Sequence, residues 1–420
     1  NSYRNCKSQM KRLDKMIRFF TQFKGEYNSM KKSVLILMAG LSLLSLASCS
    51  KKDDSDGNAL KIALVTDSGT LNDHNFNETS WNAVNDWAIE NGGGTKTSNN
   101  VVTGGTIETK YYQPSAVNGD FTTAQRVSAI DSAVEWGAKF VVLPGYLFQP
   151  VVKKVQAKYP DVSFLALDCV AQDSDDNYAE YTLNDNVAMT QYHEEQAGWF
   201  AGYGAVKDGL TKLGFIGGMA VPAVKRYGFG YIQGAEAAAK EMGLADNAVN
   251  MEYYYAGQFA STPEATEFAS QWYANGTETI FACGGAVYNS VTTALSTSGK
   301  DASWIGVDTN QHADTSIRPD KMNEKILTSA TKGLAASIKS ALTEWHTHDH
   351  KFDTKYAGKT LNLGIEDDAV GLATPENSGD SGCWNFKKWT VADYNTAVTK
   401  MKNGEITVSS DVENLHTTTK

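Results

Sequence analysis

Several acidic residues of the chain stand directly after short apolar segments, where a binding site could form. Asp67, Asp168 and Asp308 each follow such a segment, and the pair Gly284-Gly285 follows another. Carboxylates accept hydrogen bonds from hydroxyl and amino groups, and such charge-assisted bonds are about twice as strong as neutral ones. Glycines let the backbone turn sharply or approach a ligand closely. These residue types predict a polar, non-cationic ligand-binding site that includes Asp168.

The chain lacks the sequence patterns of common catalytic and phosphate-binding sites. It contains no Gly-x-Ser-x-Gly segment, no Cys-x-x-Cys pair and no Gly-x-x-x-x-Gly-Lys loop. The segment 228–234 resembles a dinucleotide-binding fingerprint, but its last spacing is one residue too long and it does not directly follow a strand. The sequence therefore predicts no catalytic residue, no metal and no cofactor. Nucleotides should not bind, because the sequence has no phosphate-binding loop.

Two further groups of polar residues have simple structural interpretations. The motif His346-x-His348-x-His350 could chelate a metal and is interpreted as an exposed polar loop after a helix. Glu194 and Glu195 could form an acid pair, but adjacent helical residues do not face each other. Both glutamates are therefore interpreted as part of a helix with an outward-facing surface.

A parallel α/β fold would place the strand-end residues together. Apolar segments rich in β-formers alternate with helical patterns, and continuous rather than alternating apolar segments are typical of sheets covered on both faces. Alternation with helices predicts βαβ units, and ligands bind at the carboxyl ends of such strands. There are too many segments for one sheet, so two Rossmann-like lobes are predicted. The segments are 61–66, 140–143, 164–167, 213–216, 251–255, 279–282, 304–307 and 326–329.

The N-terminal region has the pattern of an export signal. Lys31 and Lys32 precede an apolar run of about 14 residues, too short for a membrane span of roughly 20. The run ends in Leu46-Ala47-Ser48-Cys49, which resembles a bacterial lipobox and implies cleavage before Cys49 and lipid on its sulfur. The charged segment 51–59 is interpreted as a flexible tether between the lipid and the folded body. Residues 1–29 are interpreted as an upstream extension.

The predicted division of the chain follows from these patterns. Residues 30–48 form the lipoprotein signal peptide, and 49–59 the lipidated cysteine and tether. Lobe I comprises 60–170 plus 312–356, and lobe II comprises 171–311 plus 357–420.

Charge and cysteine content narrow the function classes. The formal net charge is −10 at pH 7, and removing the Lys/Arg-rich first 48 residues would make the remainder more acidic. An acidic chain is unsuited to binding nucleic acid or other polyanions. The chain has 5 cysteines without metal-type or framework spacing, so buried free thiols are expected.

Six segments resemble, in order, the basic membrane protein (BMP/Med, PnrA-like) family of lipoprotein receptors. This resemblance implies a type I periplasmic-binding-protein fold, with two lobes closing on a nucleoside that is delivered to an ABC permease complex. The segments are VTDSGTLNDHNFN (65–77), HEEQAGWFAGYGA (193–205), GFIGGMAVPAVKRYGFGYIQG (214–234), IGVDTNQ (305–311), LTSATK (327–332) and GIEDDAVGLA (364–373).

The resemblance also implies roles for individual residues. Phe76 matches the aromatic residue that stacks on the base, and Tyr227 the aromatic residue on the opposite face, with Phe229 as a nearby substitute. The base-edge contacts match Asp67 and Asn77, the ribose-hydroxyl partners match Asp308 and Lys332, and the glycine turn lining the sugar matches Gly284 and Gly285.

The chain departs from the family pattern at several positions. Tyr227 stands where phenylalanine is usual, so its added hydroxyl needs a partner. Asn72 and Asn310 replace expected acids, and Ala286 and Val287 follow the glycine turn where Thr-Gly is expected. These departures leave the preferred base or sugar open.

Other functions remain as alternatives. A receptor of this fold could bind a sugar or a flavin-like compound, and a nucleoside-processing enzyme would need a metal or an activated nucleophile. A transcription factor of the sugar-repressor type would need an N-terminal helix-turn-helix where this chain has its signal pattern. We expect a monomer on the extracytoplasmic face of the cell membrane, held by its lipid anchor, with no nucleic-acid partner.

Overall fold

The computed structural model describes residues 59–411 except Gly69, 117–120 and 314–318. The predicted signal peptide, Cys49 and nearly all of the tether lie outside the described residues. No helix within the described ranges combines the length and apolar character needed to cross a membrane.

Strands and helices alternate along the described residues. The strands are β1 (Leu60–Val65), β2 (Thr95–Lys96), β3 (Val102–Thr103), β4 (Ile107–Tyr112), β5 (Phe140–Pro144), β6 (Ser163–Leu167), β7 (Gln172–Asp173), β8 (Ala179–Glu180), β9 (Val187–Tyr192), β10 (Lys212–Gly217), β11 (Asn250–Tyr255), β12 (Thr279–Cys283), β13 (Ser303–Asp308), β14 (Ile326–Lys332), β15 (Lys359–Leu363) and β16 (Val370–Leu372). The helices are α1 (Phe76–Gly92), α2 (Thr123–Glu135), α3 (Gln149–Lys158), α4 (Glu194–Lys207), α5 (Pro222–Glu241), α6 (Pro263–Ala274), α7 (Tyr288–Ser298), α8 (Leu334–Thr347), α9 (Pro375–Ser378) and α10 (Val391–Lys402).

Among the described residues, two six-stranded sheets form the two lobes. The first has the order β15-β9-β6-β5-β1-β4, with every neighbouring pair parallel. The second has the order β11-β10-β12-β13-β14-β16 and is parallel except for β14 against β16. Strands β5, β6 and β12 are buried at every position, as expected for strands covered on both faces. The predicted α/β class with two Rossmann-like lobes is confirmed.

The strand pairing divides the chain differently from the predicted boundaries. Strand β9 pairs with β6, and β15 pairs with β9, so both belong to the first lobe rather than the second. Strand β14 pairs with β13 in the second lobe rather than the first. Of the segment 312–356, helix α8 returns to the first lobe, where Trp345 packs edge-on against Phe140. Of these three strands the sequence predicted only β14, and the partners of all three depend on contacts distant along the chain.

Close contact between α4 and α5 shapes the second lobe. A Cβ atom added at Gly198 would lie 2.1 Å from the carbonyl oxygen of Tyr227, and one at Gly202 would lie 2.0 Å from that of Tyr231. Such distances are far inside van der Waals contact, so only glycine permits this crossing. The approach fixes the face of α5 that carries Tyr227 relative to the end of β14.

Candidate functional site

A cavity of about 850 Å³ lies at the carboxyl ends of the strands of both sheets. The first lobe contributes residues that follow β1, β5 and β6, and the second contributes residues that end or follow β12, β13 and β14. The volume falls within the range of small-molecule sites, about 300–1,000 Å³. Nine of the ten predicted ligand-binding residues line it: Asp67, Phe76, Asn77, Asp168, Tyr227, Gly284, Gly285, Asp308 and Lys332.

Phe229 is the predicted residue that does not line the cavity. It is buried in α5, two positions after Tyr227. Successive helical residues are rotated by about 100°, so Phe229 faces nearly opposite to Tyr227. Its predicted role as a substitute aromatic contact is therefore withdrawn.

The two lobes present matching turns to the cavity. Gly145 follows β5 with φ 117°, and Gly284 follows β12 with φ 116°. Asp168 after β6 and Asp308 at the end of β13 both have left-handed backbone, with φ 56° and 63°. Non-glycine residues rarely adopt this conformation, which concentrates at functional sites. The turns aim both carboxylates into the same cavity.

Two of the aromatic residues that line the cavity are Phe76 and Tyr227, and Tyr227 is only 1% exposed. Phe76 is the first residue of α1 and is half-buried. The Lys332 ammonium lies 5.3 Å from the centroid of its ring and 5.5 Å from that of Tyr227, so the two rings border one space. The Tyr227 hydroxyl, which the sequence left without a partner, donates to the carbonyl of Ala330 at 3.4 Å.

Hydrogen-bond acceptors predominate at the first-lobe end of the cavity. Asp73 accepts bonds from the backbone N–H groups of Asn75 and Asn77, both at 2.9 Å, and caps the start of α1. The Asn77 side-chain NH₂ donates to Asp73 at 2.9 Å and to Asp67 at 3.4 Å. Its Oδ1 atom is buried and has no protein partner. Asp73 was part of the recognised motif, but no role was predicted for it; burial raises its pKa to about 6.

Lys332 is the centre of a buried charge cluster. Its Nζ lies 2.5 Å from Asp168 Oδ2, 3.2 Å from Glu194 Oε1 and 3.6 Å from Asp308 Oδ1. Burial opposes the ammonium charge, yet the surrounding carboxylates raise the pKa of Lys332 above its usual value. Burial also raises the pKa of Asp168 to about 7 and raises the pKa of Asp308, even with Lys332 beside them. Three carboxyl groups thus surround one ammonium, and burial favours the protonated form of two of them, Asp168 and Asp308.

The interpretation of Glu194 and Glu195 as an outward-facing surface is wrong. They begin helix α4, as predicted, but their exposed fractions are 0% and 2% rather than those of a surface. Arg226 Nε lies 2.6 Å from Glu194 Oε2 and 3.8 Å from Glu195 Oε2. Arg226 comes from α5, 32 residues later, so no local sequence pattern could reveal the pairing.

Arg126 is a further cavity residue that the sequence did not reveal. It lines the cavity from α2, and its Nε donates to the backbone oxygen of Asp67 at 3.0 Å. The residue is distant from every recognised motif, and only the packing of α2 against β1 brings it to the site.

The histidine motif lies on the surface of the first lobe, away from the cavity. His346, His348 and His350 are exposed, as predicted, with His346 in the last turn of α8. His348 Nδ1 lies 2.8 Å from the backbone oxygen of Glu344, a normal interaction at a helix C-terminus.

The amino-acid sequence matches a known family over most of its length. The family described as "ABC transporter substrate-binding protein PnrA-like" matches residues 60–411. The ABC transporter nucleoside-binding protein BmpA of Lactococcus lactis is 27% identical over 397 residues, covering 91% of this chain and 100% of that protein. Basic membrane protein A1 of Borrelia garinii is 24% identical over 339 residues, covering 80% of this chain and 87% of that protein.

The fold also matches solved structures. An ABC transporter solute-binding protein from Aeropyrum pernix aligns with a TM-score of 0.59 and 20% identity, covering 84% of this chain and 88% of that chain. Similarity at this level of identity shows the fold alone, and it confirms the predicted type I periplasmic-binding-protein fold. The family match confirms the resemblance seen in the sequence motifs.

Proposed function

The chain belongs to the PnrA-like family of ABC transporter substrate-binding proteins, and from that premise we propose that it captures a nucleoside, preferably a purine nucleoside, and delivers it unchanged to a permease. The observation that carries this proposal is one cavity that combines two aromatic surfaces with acceptor groups contributed by both lobes. A nucleoside has this same division, with a flat base and an uncharged sugar rich in hydroxyl donors.

The first-lobe end of the cavity suits a base edge that donates hydrogen bonds. Asp67 and the unpartnered Oδ1 of Asn77 offer acceptors there, whereas both oxygens of Asp73 already accept bonds from the start of α1. Guanine presents a ring N–H beside an amino group, and hypoxanthine presents the ring N–H, whereas adenine has an acceptor nitrogen at the same position. Stacking on Phe76 and Tyr227 adds about 0.5–1.5 kcal/mol per aromatic pair beyond the burial of area.

The part of the cavity around Asp168 and Asp308 suits a neutral sugar rather than a phosphate. Asp168 Oδ1 is buried without a hydrogen-bond partner, and Asp308 lies across from it on the second lobe. Both can accept bonds from sugar hydroxyls. The cationic residues Lys332 and Arg126 line the cavity but are outnumbered by its carboxylates, so a phosphate group would be repelled.

Calorimetry on the purified protein tests the proposal. We expect guanosine and inosine to bind with micromolar or tighter affinity and adenosine at least about tenfold more weakly, since a buried acceptor left unpaired costs about 1–3 kcal/mol. GMP and ribose should bind far more weakly than guanosine. Guanosine should be recovered intact after incubation. Binding of ribose or GMP at least as tight as that of guanosine would rule out this ligand class.

A flavin-like ligand is the second candidate within the same family of functions. The volume of about 850 Å³ leaves room for a compound larger than a nucleoside, so riboflavin belongs in the same titration series. Catalysis has less support from the cavity. Cys283 lines it, but burial raises the pKa of that thiol, which is the opposite of the change that activates a nucleophilic cysteine.

We also propose that Cys49 carries a lipid that anchors the protein on the extracytoplasmic face of the membrane. The support is the lipobox-like sequence before it. Cys49→Ala should move the protein from the membrane fraction to the soluble fraction after cell fractionation. Cys383→Ser, which alters a buried thiol of the folded body, is the matched control and should stay with membranes. Membrane retention of the Cys49 variant would contradict anchoring through this residue.

A further inference from the structure

Within the described residues the chain crosses between the two lobes three times, and the crossings lie together. They follow β9, β14 and β15. The N–H of His193, after β9, donates to the carbonyl of Leu363 at the end of β15. The N–H of Gly333, after β14, donates to the carbonyl of Ala369 at 2.7 Å. Any movement of one lobe relative to the other must bend these connected segments.

A continuous chain of charged side chains runs through this crossing region to the cavity. Arg226 holds Oε2 of Glu194 at 2.6 Å, and Oε1 of Glu194 lies 3.2 Å from the Lys332 ammonium. Glu194 has an exposed fraction of 0%. Neither Arg226 nor Glu194 lines the cavity, whereas Lys332, Asp168 and Asp308 do.

We propose that Arg226 and Glu194 are positioning residues for ligand capture, holding the Lys332 ammonium between Asp168 of the first lobe and Asp308 of the second. The part that concerns ligand affinity rests on the proposed function. The pair acts from behind the cavity, and it sets the position of an ammonium that contacts carboxylates of both lobes.

The geometry of Glu194 supports this role. A carboxylate has two oxygens, and here one is held by Arg226 and the other faces Lys332. Without Arg226 the charge of Glu194 would be balanced by Lys332 alone, and the ammonium would be drawn away from Asp308, its most distant partner at 3.6 Å. Buried charges demand such compensation, since an unpaired one is strongly destabilising.

The other titratable groups around the cluster define its pH behaviour. Tyr192 and Tyr227 face Lys332 with their rings, and Cys283 contributes from β12. Burial raises the pKa of all three, so they stay neutral near pH 7. His193 lies 2.8 Å from Glu195, which raises the pKa of the imidazole. Glu195 and His193 are present in every variant described below, so their titration contributes equally to each pH profile.

The test compares Arg226→Gln with the double variant Arg226→Gln/Glu194→Gln, which removes one charge of each sign. Lys207→Gln is the matched control, because Lys207 pairs with Glu241 at 3.1 Å across the same two helices on the surface. Guanosine affinity is measured by calorimetry from pH 6 to pH 8.5. The unfolding temperature of each ligand-free protein is followed over the same range.

We expect Arg226→Gln to weaken guanosine binding at least tenfold at pH 8.5 but less than threefold at pH 6, where a bound proton replaces the missing positive charge. The double variant should return to within threefold of wild type at both pH values, and Lys207→Gln should not change. Equal loss at both pH values without recovery in the double variant would show a merely structural role and overturn the proposal. Unchanged affinity of Arg226→Gln would overturn it as well.

The unfolding temperatures of the ligand-free proteins test whether Arg226 and Glu194 balance the charge around Lys332, even if the wild type binds no nucleoside. A carboxyl whose folded pKa is raised, such as Asp168 from 3.8 to about 7, stabilises the fold at low pH, and this contribution is lost as pH rises through that range. Removing Arg226 should raise these pKa values further. The unfolding temperature of Arg226→Gln should therefore fall more steeply with pH than that of wild type, and the double variant should regain the wild-type slope.

A wild-type slope in Arg226→Gln would overturn the proposal. If the wild type bound no nucleoside but the three proteins showed the expected slopes, only the proposed function would be overturned.

Discussion

Lys332→Met is expected to lower the affinity for guanosine more than a hundredfold at pH 8, the largest effect of any single substitution in the cavity. The ammonium lies within 3.6 Å of the three carboxylates of Asp168, Glu194 and Asp308, in a side chain that is 2% exposed. Methionine keeps most of the volume but leaves those charges uncompensated. A hundredfold loss of affinity corresponds to about 2.7 kcal/mol, within the range of about 2–5 kcal/mol found when one partner of a buried charge pair is truncated at a binding interface.

The direction in which affinity changes with pH distinguishes the loss of the Lys332 charge from general misfolding. Without the ammonium, the pKa values of Asp168 and Asp308 should rise further, so both carboxyls bind protons more readily as pH falls. The variant should therefore recover part of its affinity and unfolding temperature between pH 8 and pH 6. Lys339→Met is the control, because Lys339 forms an exposed pair with Glu90 and should leave affinity unchanged. If the Lys332 variant bound guanosine with wild-type affinity at pH 8, Lys332 would not be part of the binding site.

Phe76→Ala is expected to weaken guanosine binding well over tenfold while changing the unfolding temperature little. Phe76 is half-buried at the cavity wall, and a stacked base would complete its burial. The loss combines the stacking energy with the apolar area term of about 25 cal/mol per Å². Calorimetry measures the affinity, and thermal unfolding without ligand measures the stability.

Phe229→Ala is the matched control for this prediction. Phe229 is more buried than Phe76 and does not line the cavity, and truncating a core phenylalanine costs about 3–5 kcal/mol of stability. It should lower the unfolding temperature strongly while the remaining folded protein binds guanosine normally. If Phe76→Ala instead lost stability as Phe229→Ala does, and lost no affinity, Phe76 would be a core residue.

The position of Phe229 also shows where sequence similarity stops being informative about a site. Both aromatic residues of α5 fitted the family motif, and helical rotation alone separates them. The two glutamates at the start of α4 show the opposite error. Their adjacency suggested a surface, but Arg226 from α5 and Lys332 from β14 meet Glu194 in the interior. Neither partner is near Glu194 in the sequence.

The sequence by itself determined the fold class and identified nine residues that line the cavity. Continuous apolar segments specify buried parallel strands because the pattern of burial is local, and a residue that follows such a strand must lie at the carboxyl edge of its sheet. Asp67, Asp168 and Asp308 were found in this way, and the family motifs supplied Phe76, Tyr227 and Lys332.

Only the tertiary structure decided which lobe each later strand joins and what surrounds Lys332. Strands β9 and β15 are not among the segments predicted from the sequence, and the sheets that β9, β14 and β15 join are decided by hydrogen bonds to strands distant along the chain. The same holds for the charge cluster, whose members come from four separate elements. Its balance depends on distances of a few ångström in a buried space, because Coulomb interactions there are weakly screened, and no spacing in the sequence encodes those distances.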